Sequence, residues 1–148
     1  GDFAAYQAER RVEGVARAGA LAGFTHPLTS YTMPFAVETA LAIAREADLP
    51  GERMAAMLDA RAQQHWRDTG FYRLLGKMLF GAADPAQRWR IFERFYRLPQ
   101  GLIERFYAAR STPMDKARIL MGKPPVPVTR ALGALLQKGT PMNGQESL

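Results

Sequence analysis

Apolar side chains recur at steps of three and four residues over much of the second half of the chain. This spacing places them on one face of a helix and predicts helical structure from Glu52 onward. Gly70 interrupts the run and is expected to break or kink it. The apolar positions on the two sides of that glycine are Met54, Met57, Leu58, Ala62, Phe71, Leu74, Leu75, Met78 and Leu79.

Local capping signals predict where the remaining helices start and stop. A capping residue followed by proline is typical of a helix start, and it occurs at Asp84-Pro85 and at Thr112-Pro113. Leu98-Pro99 should end the first of these helices, and Gly122 should end the second. We also expect a short helix over 100–109, an extended stretch over 123–127, a last helix over 128–138 and a disordered tail over 139–148.

The N-terminal third has a different pattern. Residues 4–11 could form a short helix, and Val15 to Leu21 is small and apolar enough to predict a short buried strand. A tight loop then leads to a helix that starts at Pro34, where the missing N–H of proline costs nothing. Asp48 to Gly51 reads as a turn. The predicted fold is therefore mainly α, with a short N-terminal strand.

Composition narrows the possible classes of protein. The chain has 148 residues, of which 47% are hydrophobic, so it can bury a core of its own. It has no cysteine, which excludes disulfides, thiolate zinc sites and cysteine nucleophiles within it. No apolar run reaches the roughly 18–20 residues needed to cross a bilayer. The abrupt start suggests a portion of a longer polypeptide.

The net charge of +6 is unevenly distributed along the chain. Residues 1–60 hold 5 basic and 8 acidic side chains, whereas residues 61–130 hold 14 basic and 5 acidic ones. A basic surface favours anionic partners such as lipid headgroups, acidic proteins or nucleic acid. No nucleic-acid-binding motif accompanies the charge, so we do not expect nucleic acid as a partner.

The segment from Gly19 to Pro34 is the strongest candidate for a site. Glycines, a histidine and hydroxyl groups precede a helix start, and the free N–H groups there, around Thr32 to Phe35, suit an anion. His26 has two interpretations, which the sequence leaves open: a ligand contact, or a buried histidine that orients the loop. Glu38 is a weak candidate for a proton donor, because a solvent-facing glutamate is commoner. His65 is expected to be a packing residue, and two distant histidines make no metal motif.

This segment resembles the flavin-contacting part of FAD-dependent monooxygenases and reductases, which has a Gly-Asp-Ala…His-Pro…Gly pattern. Gly19, His26 and Pro27 match it, whereas Ala20 stands in place of the aspartate and Ser30 in place of the last glycine. The resemblance implies a Rossmann-like FAD-binding α/β fold of which this chain is the C-terminal part. The cofactor-binding residues that it implies are Gly19, His26, Pro27, Thr29, Ser30 and Tyr31.

A more specific resemblance extends over nearly the whole chain. The runs at 24–34, 94–107 and 118–128 are similar to the C-terminal region of bacterial lycopene β-cyclases. The resemblance covers less than half of a typical member and lacks the dinucleotide-binding glycines. It implies that residues 1–50 close the FAD-binding domain, that residues 51–138 form a helical region contacting substrate and membrane, and that the N-terminal remainder of the polypeptide is a partner.

What the resemblance implies chemically is an isomerisation. The ψ-ends of lycopene, and then of γ-carotene, would be cyclised to β-ionone rings through a carbocation, giving β-carotene. Reduced FAD would be needed, with NAD(P)H as the reductant. The catalytic carboxylate would lie upstream of this chain. Tyr31 and Phe35 would contact the substrate, and the enzyme would be a peripheral protein at the cytoplasmic face of the inner membrane.

The aromatic and arginine-rich region around residues 88–107 leaves three interpretations open. It could be a set of core helices with solvated arginines, the commonest reason for such a pattern. It could instead contact a membrane surface, since aromatic rings beside basic side chains suit the headgroup boundary. Nucleic-acid binding is the third interpretation; it fits the charge, but no recognised nucleic-acid motif accompanies it.

For the function of the chain, a non-catalytic basic helical module that binds anionic membranes is the alternative to the cyclase. A helical interaction domain for other carotenoid enzymes is a further possibility.

Overall fold

A computed structural model describes residues 3–82, 86 and 88–121. Over these residues the chain is helical, with no strand, and its helices are joined by short turns and one long loop. The α-helices are α1 Phe3–Glu9, α2 Met33–Arg45, α3 Gly51–Asp68, α4 Gly70–Ala82, α5 Trp89–Phe95, α6 Gln100–Tyr107 and α7 Pro113–Leu120, and a 3₁₀ turn spans Ala20–Ala22.

The predicted helices over 34–44, 52–79 and 100–109 are confirmed, as is the start at Pro113. That start is a complete capping box. The Thr112 hydroxyl accepts a hydrogen bond from the Asp115 N–H at 3.1 Å, and the Asp115 carboxylate accepts one from the Thr112 N–H at 2.9 Å. The predictions for Asp84-Pro85, for Gly122 and for residues 123–148 fall outside the described residues.

The predicted strand from Val15 to Leu21 is wrong. Residues 15–18 are irregular, and the chain then turns through Ala20–Ala22. Val15 is 50% exposed and Leu21 is 69% exposed, so the apolar run does not face the core. A strand needs a neighbour to satisfy its backbone groups, and the described residues contain no other strand that could supply one.

The break at Gly70 is confirmed, and Thr69 explains its position. The Thr69 hydroxyl donates to the carbonyl of His65 at 2.7 Å, which closes the last turn of α3. Thr69 itself is only 2% exposed. The chain therefore leaves α3 at Asp68 and starts α4 at Gly70, with Thr69 fixed between them.

Two clusters of buried side chains form the core on either side of the loop that precedes α2. The first joins α1, the 3₁₀ turn, α2 and α3 and contains Phe3, Ala22, Phe24, Phe35 and Ala62. The second joins α4 and α6 and contains Tyr72, Leu75 and Phe106. Residues 24–32, here called the bend, run between these clusters and are held by both.

Candidate functional site

Hydrogen bonds to the side chain and to the backbone of His26 hold the bend in its conformation. Nδ1 of His26 accepts hydrogen bonds from the N–H groups of Leu28 and Thr29, at 3.3 and 3.2 Å. The His26 N–H donates to the Tyr31 carbonyl at 2.9 Å, and the Ser30 N–H donates to the His26 carbonyl at 2.8 Å. One residue therefore fixes four of the hydrogen bonds that shape this loop.

The His26 ring is completely buried. It lies 4.5 Å from the Tyr72 ring and 5.1 Å from the Phe106 ring, measured between centroids. Burial lowers the pKa of His26 to about 4; the backbone of Phe106 opposes that shift, and His65 adds slightly to it. The ring is neutral at pH 7, and since Nδ1 is an acceptor its proton is on Nε2, which has no hydrogen-bond partner of normal geometry among the described residues.

This geometry bears on the two readings of His26. The ring is enclosed by protein groups and orients the loop, as the structural reading requires. A direct contact between His26 and a flavin stays a prediction, and the contact would need a group that reaches Nε2 from outside the described residues.

Ser30 has a backbone conformation that favours glycine. Its φ is 58°, in the left-handed region, where a side chain costs roughly 1 kcal/mol or more relative to glycine. The glycine that the flavin-binding pattern carries at this position would be free of that cost. Gly19, which also matches the pattern, has a φ of 68°. Both positions at which the pattern has glycine, Gly19 before the bend and Ser30 within it, therefore have a positive φ.

An apolar cavity of about 380 Å³ lies on one side of the bend. Thr29 belongs to its wall, and the exposed rings of Phe80 and Phe92 belong to its outer part. No carboxylate is among the described residues that line it. They are Leu28, Thr29, Leu75, Leu79, Phe80, Ile91, Phe92, Arg94, Phe95, Leu98, Phe106, Tyr107 and Ile119.

A pair of tyrosines stands at the edge of this apolar cavity. The hydroxyls of Tyr96 and Tyr107 are 2.6 Å apart. That hydrogen bond, together with burial, raises the pKa of Tyr107 to about 12, so its hydroxyl keeps its proton at neutral pH. Tyr31 packs edge-on against Tyr107, with ring centroids 5.7 Å apart. Tyr31 therefore lies beside the cavity, although it does not line it.

A second cavity, of about 420 Å³, lies on the other side of the bend and is called here the bend cavity. Pro27, Ala20 and Gly23 contribute to its wall, so the flavin-like segment faces it directly. The opposite wall comes from α1, α3 and α4 and is rich in aromatic rings. Its residues are Phe3, Tyr6, His65, Trp66, Thr69 and Arg73, and Thr25 completes the lining.

Arg73 is the one cation among the described residues that line the bend cavity. Its guanidinium lies over the Trp66 ring, 3.7 Å from the centroid, and donates to the Thr69 hydroxyl at 2.9 Å. Partial burial lowers the pKa of Arg73 from its usual value, but a guanidinium remains charged in any protein setting. None of the ion pairs formed among the described residues involves Arg73.

Glu38 and Phe35 face away from the apolar cavity. Both border a polar cleft of about 280 Å³ that also includes Arg110. Glu38 forms an ion pair with Arg110, and Phe35 is buried against the His65 ring, with centroids 4.6 Å apart. The proposed roles of Glu38 as proton donor and Phe35 as substrate contact stay predictions. His65 packs as expected, with Nε2 2.8 Å from the Thr25 carbonyl.

Sequence reasoning missed four residues that shape the site: Trp66, Tyr72, Arg73 and Phe106. Trp66 and Arg73 come from helices α3 and α4, on either side of the break at Gly70, and Arg73 contacts both the Trp66 ring and the Thr69 hydroxyl between the helices. Tyr72 accepts a hydrogen bond from the buried Ser111 N–H at 3.0 Å. The sequence offered one general indication for such a residue: the hydroxyl of a buried tyrosine usually has a hydrogen-bond partner.

Two negative observations apply to the residues that the structure describes. No helix among them combines the length and the apolar character needed to cross a bilayer. Nowhere in the same part of the chain do three His, Cys, Asp or Glu side chains come close enough together to hold a metal ion.

Comparison with known proteins places the chain in a family. Residues 3–133 match the model of the lycopene cyclase protein family. A lycopene β-cyclase from Pseudescherichia vulneris is 47% identical over 92% of this chain and 35% of its own length. Lycopene β-cyclases from Pantoea ananas and Paracoccus sp. are 42% and 40% identical, over 82% and 81% of this chain and 32% and 31% of their own lengths.

The chain thus spans about a third of the length of the curated relatives that it matches. No solved structure matches it significantly. The residues that match the family model include the bend, the linings of the cavities on both sides of it and all seven described helices. The chain belongs to the lycopene cyclase family.

Proposed function

We propose that the polypeptide containing this chain is a lycopene β-cyclase, an isomerase that closes the ψ-ends of lycopene and γ-carotene into β-ionone rings. Family membership supports this function over a non-catalytic membrane-binding module. The single structural observation that carries the proposal is the apolar cavity beside Thr29. Its volume is within the range of small-molecule sites, and its wall suits a hydrocarbon end group.

The residues of this cavity would serve the reaction by excluding water and stabilising positive charge. Ring closure after protonation of a terminal double bond leaves a carbocation, which water would trap. The rings of Phe95, Phe106 and Tyr107 border the cavity and offer π faces to such a cation. Since no carboxylate is among the described lining residues, the catalytic acid would come from elsewhere in the polypeptide. Tyr31, beside Tyr107, would contact the substrate at the edge.

The residues around the bend cavity fit an FAD ring. Aromatic walls and an arginine that forms no ion pair within the described part of the chain suit a planar ligand that carries negative charge. Pro27 and Ala20 would contact the cofactor there, and Gly19 would shape its approach. Cofactor contacts by Thr29, Ser30 and Tyr31 stay predictions, since Thr29 lines the apolar cavity on the other side of the bend. Reduced FAD, maintained by NADH or NADPH, supplies an electron-rich π system when bound.

A membrane location is the third part of the proposal. Trp89, Phe92 and Tyr96 are 56%, 48% and 57% exposed and occur at three- and four-residue steps along α5 and the turn after it. Arg90 and Arg97 flank them. Exposed aromatic rings beside arginines suit the headgroup boundary of an anionic bilayer. Because Phe92 also borders the apolar cavity, a carotene could pass from lipid to cavity at the cytoplasmic face of the inner membrane.

Substitution of the exposed rings is expected to weaken membrane binding. The double variant Trp89→Ser/Tyr96→Ser should reduce the fraction of protein that floats with vesicles containing anionic lipid by about threefold or more, since apolar area is lost from the boundary. Val37→Ser on α2, also half-exposed, is the control and should float like the wild type. Equal flotation of the double variant would remove α5 from the membrane contact.

Filling the apolar cavity tests the cyclase proposal. Ile91→Trp adds an indole to the cavity wall and is expected to reduce conversion of lycopene by about tenfold or more, because the end group loses its space. The assay is co-expression of the whole polypeptide with a lycopene-producing pathway, with protein level measured in parallel. Ile91→Leu keeps the volume and should retain conversion.

Two results would contradict the proposal. Lycopene left unchanged by the wild type would count against the cyclase itself. Full conversion by Ile91→Trp would show that the substrate does not use this cavity. Membrane flotation without any conversion would favour the non-catalytic module.

A further inference from the structure

Arg73 is held in place by its contacts, and no carboxylate among residues 3–82, 86 and 88–121 forms an ion pair with it. Its guanidinium contacts the Thr69 hydroxyl and the Trp66 ring, both of which are neutral. Four arginines of the described structure do form ion pairs with carboxylates: Arg17, Arg97, Arg105 and Arg110. A guanidinium on a cavity wall with no acidic partner favours an anionic ligand.

The surroundings of Arg73 hold it in one position. Trp66, over which the guanidinium lies, is itself stacked on Phe3, with ring centroids 4.8 Å apart and planes inclined by 6°. The Thr69 hydroxyl that Arg73 contacts is tied to the His65 carbonyl at 2.7 Å. A side chain positioned on both sides in this way loses little further entropy when it binds a ligand.

The same cavity has the flavin-like segment from Gly19 to Pro34 as its opposite wall. Pro27, Ala20 and Gly23 line it together with Arg73. A ligand seated between them would contact the bend on one side and meet a positive charge on the other. Aromatic side chains make up much of the lining, which favours a flat ring over a branched anion.

We infer that Arg73 recognises the negative charge on the ring of reduced flavin, and so makes the site prefer the reduced over the oxidised cofactor. This inference rests on the proposed function, because it takes FAD as the ligand of the bend cavity. Oxidised flavin has a neutral ring, whereas reduced flavin readily loses a ring proton and becomes an anion. The diphosphate of FAD is charged in both forms, so a contact to the diphosphate would not discriminate between them.

The test compares affinities for the two forms of the cofactor. The dissociation constants of oxidised and of dithionite-reduced FAD are measured by anaerobic equilibrium dialysis for the whole polypeptide that contains this chain. We expect Arg73→Gln to weaken binding of reduced FAD by about tenfold and that of oxidised FAD by less than about threefold, since only the reduced ring offers a charge to the guanidinium. Arg73→Lys keeps the charge and should restore most of the preference.

A matched control is Arg53→Gln, on the exposed surface of α3, which removes the same charge far from the cavity lining and should change neither constant. Equal weakening of both forms by Arg73→Gln would overturn the inference and assign Arg73 to the diphosphate. Unchanged constants would overturn it as well. Failure of the wild type to bind either form would overturn the proposed cofactor and this inference with it, whereas lycopene conversion without a redox preference would overturn this inference alone.

Discussion

Replacing Phe106 by alanine is expected to destabilise the protein by about 3–5 kcal/mol, the usual cost of deleting a buried aromatic side chain. Phe106 is 3% exposed and is the centre of an aromatic cluster. Its ring centroid lies 4.7 Å from Phe95, 5.1 Å from His26 and 5.2 Å from Tyr72. The free energy of unfolding, from urea titrations followed by tryptophan fluorescence, measures the change.

Phe106→Leu separates the loss of volume from the loss of the ring. Leucine keeps much of the buried volume, so we expect a cost of about 1–2 kcal/mol. Because Phe106 lines the apolar cavity, lycopene conversion should fall in Phe106→Leu beyond what the protein level explains, since a π face is lost. A cost below about 1 kcal/mol for the alanine variant would show that Phe106 is not part of a packed core.

Acidification from pH 7 to pH 4 should reduce the stability of the protein by up to about 3 kcal/mol through His26 alone. The pKa of His26 is about 4 in the folded protein, below the ordinary value of 6.5. At a pH between these two pKa values, His26 is protonated in most unfolded chains and in few folded ones. The free energy of unfolding therefore falls as the pH drops through this window, and His26 adds no further loss below it.

The variant His26→Asn tests this pH dependence. The Asn carbonyl oxygen can accept the N–H groups that Nδ1 accepts, from Leu28 and Thr29, but it does not titrate. We expect a less stable variant at pH 7 whose unfolding free energy changes little between pH 7 and pH 4. Parallel decline of the two proteins would contradict the prediction. The pKa of Asp115 is lowered by its hydrogen bond to Arg105, so its stabilising effect is lost mainly below its ordinary value of 3.8, and the small part lost above that value is common to both proteins.

The helices could be predicted from the sequence because their signals are local. The box at Thr112 and Asp115 needs only a hydroxyl, a carboxylate and the spacing between them. The break at Gly70 was equally local, although the contribution of Thr69 was not foreseen. The pattern at Val15–Leu21 failed because a strand depends on a neighbour, and in the described structure these apolar side chains remain exposed.

Only part of the candidate site could be predicted from the sequence. The segment around His26 could be singled out, since glycines, hydroxyls and a helix start are adjacent there. The cavities could not, because their walls join residues far apart in the chain, from Leu28 to Ile119 in one and from Phe3 to Arg73 in the other. Burial of His26 likewise depends on Tyr72 and Phe106, whose approach is set by the packing of α4 on α6.

The bend separates the apolar cavity from the bend cavity by the thickness of a single loop. Pro27 belongs to the lining on one side and Thr29 to that on the other, and a single imidazole nitrogen clamps the two intervening amides. Because Nδ1 of His26 ties the amides of Leu28 and Thr29 together, we expect a shift of Pro27 in one lining to move Thr29 in the other. A ligand in one cavity would then alter the shape of the other cavity without contacting the ligand there.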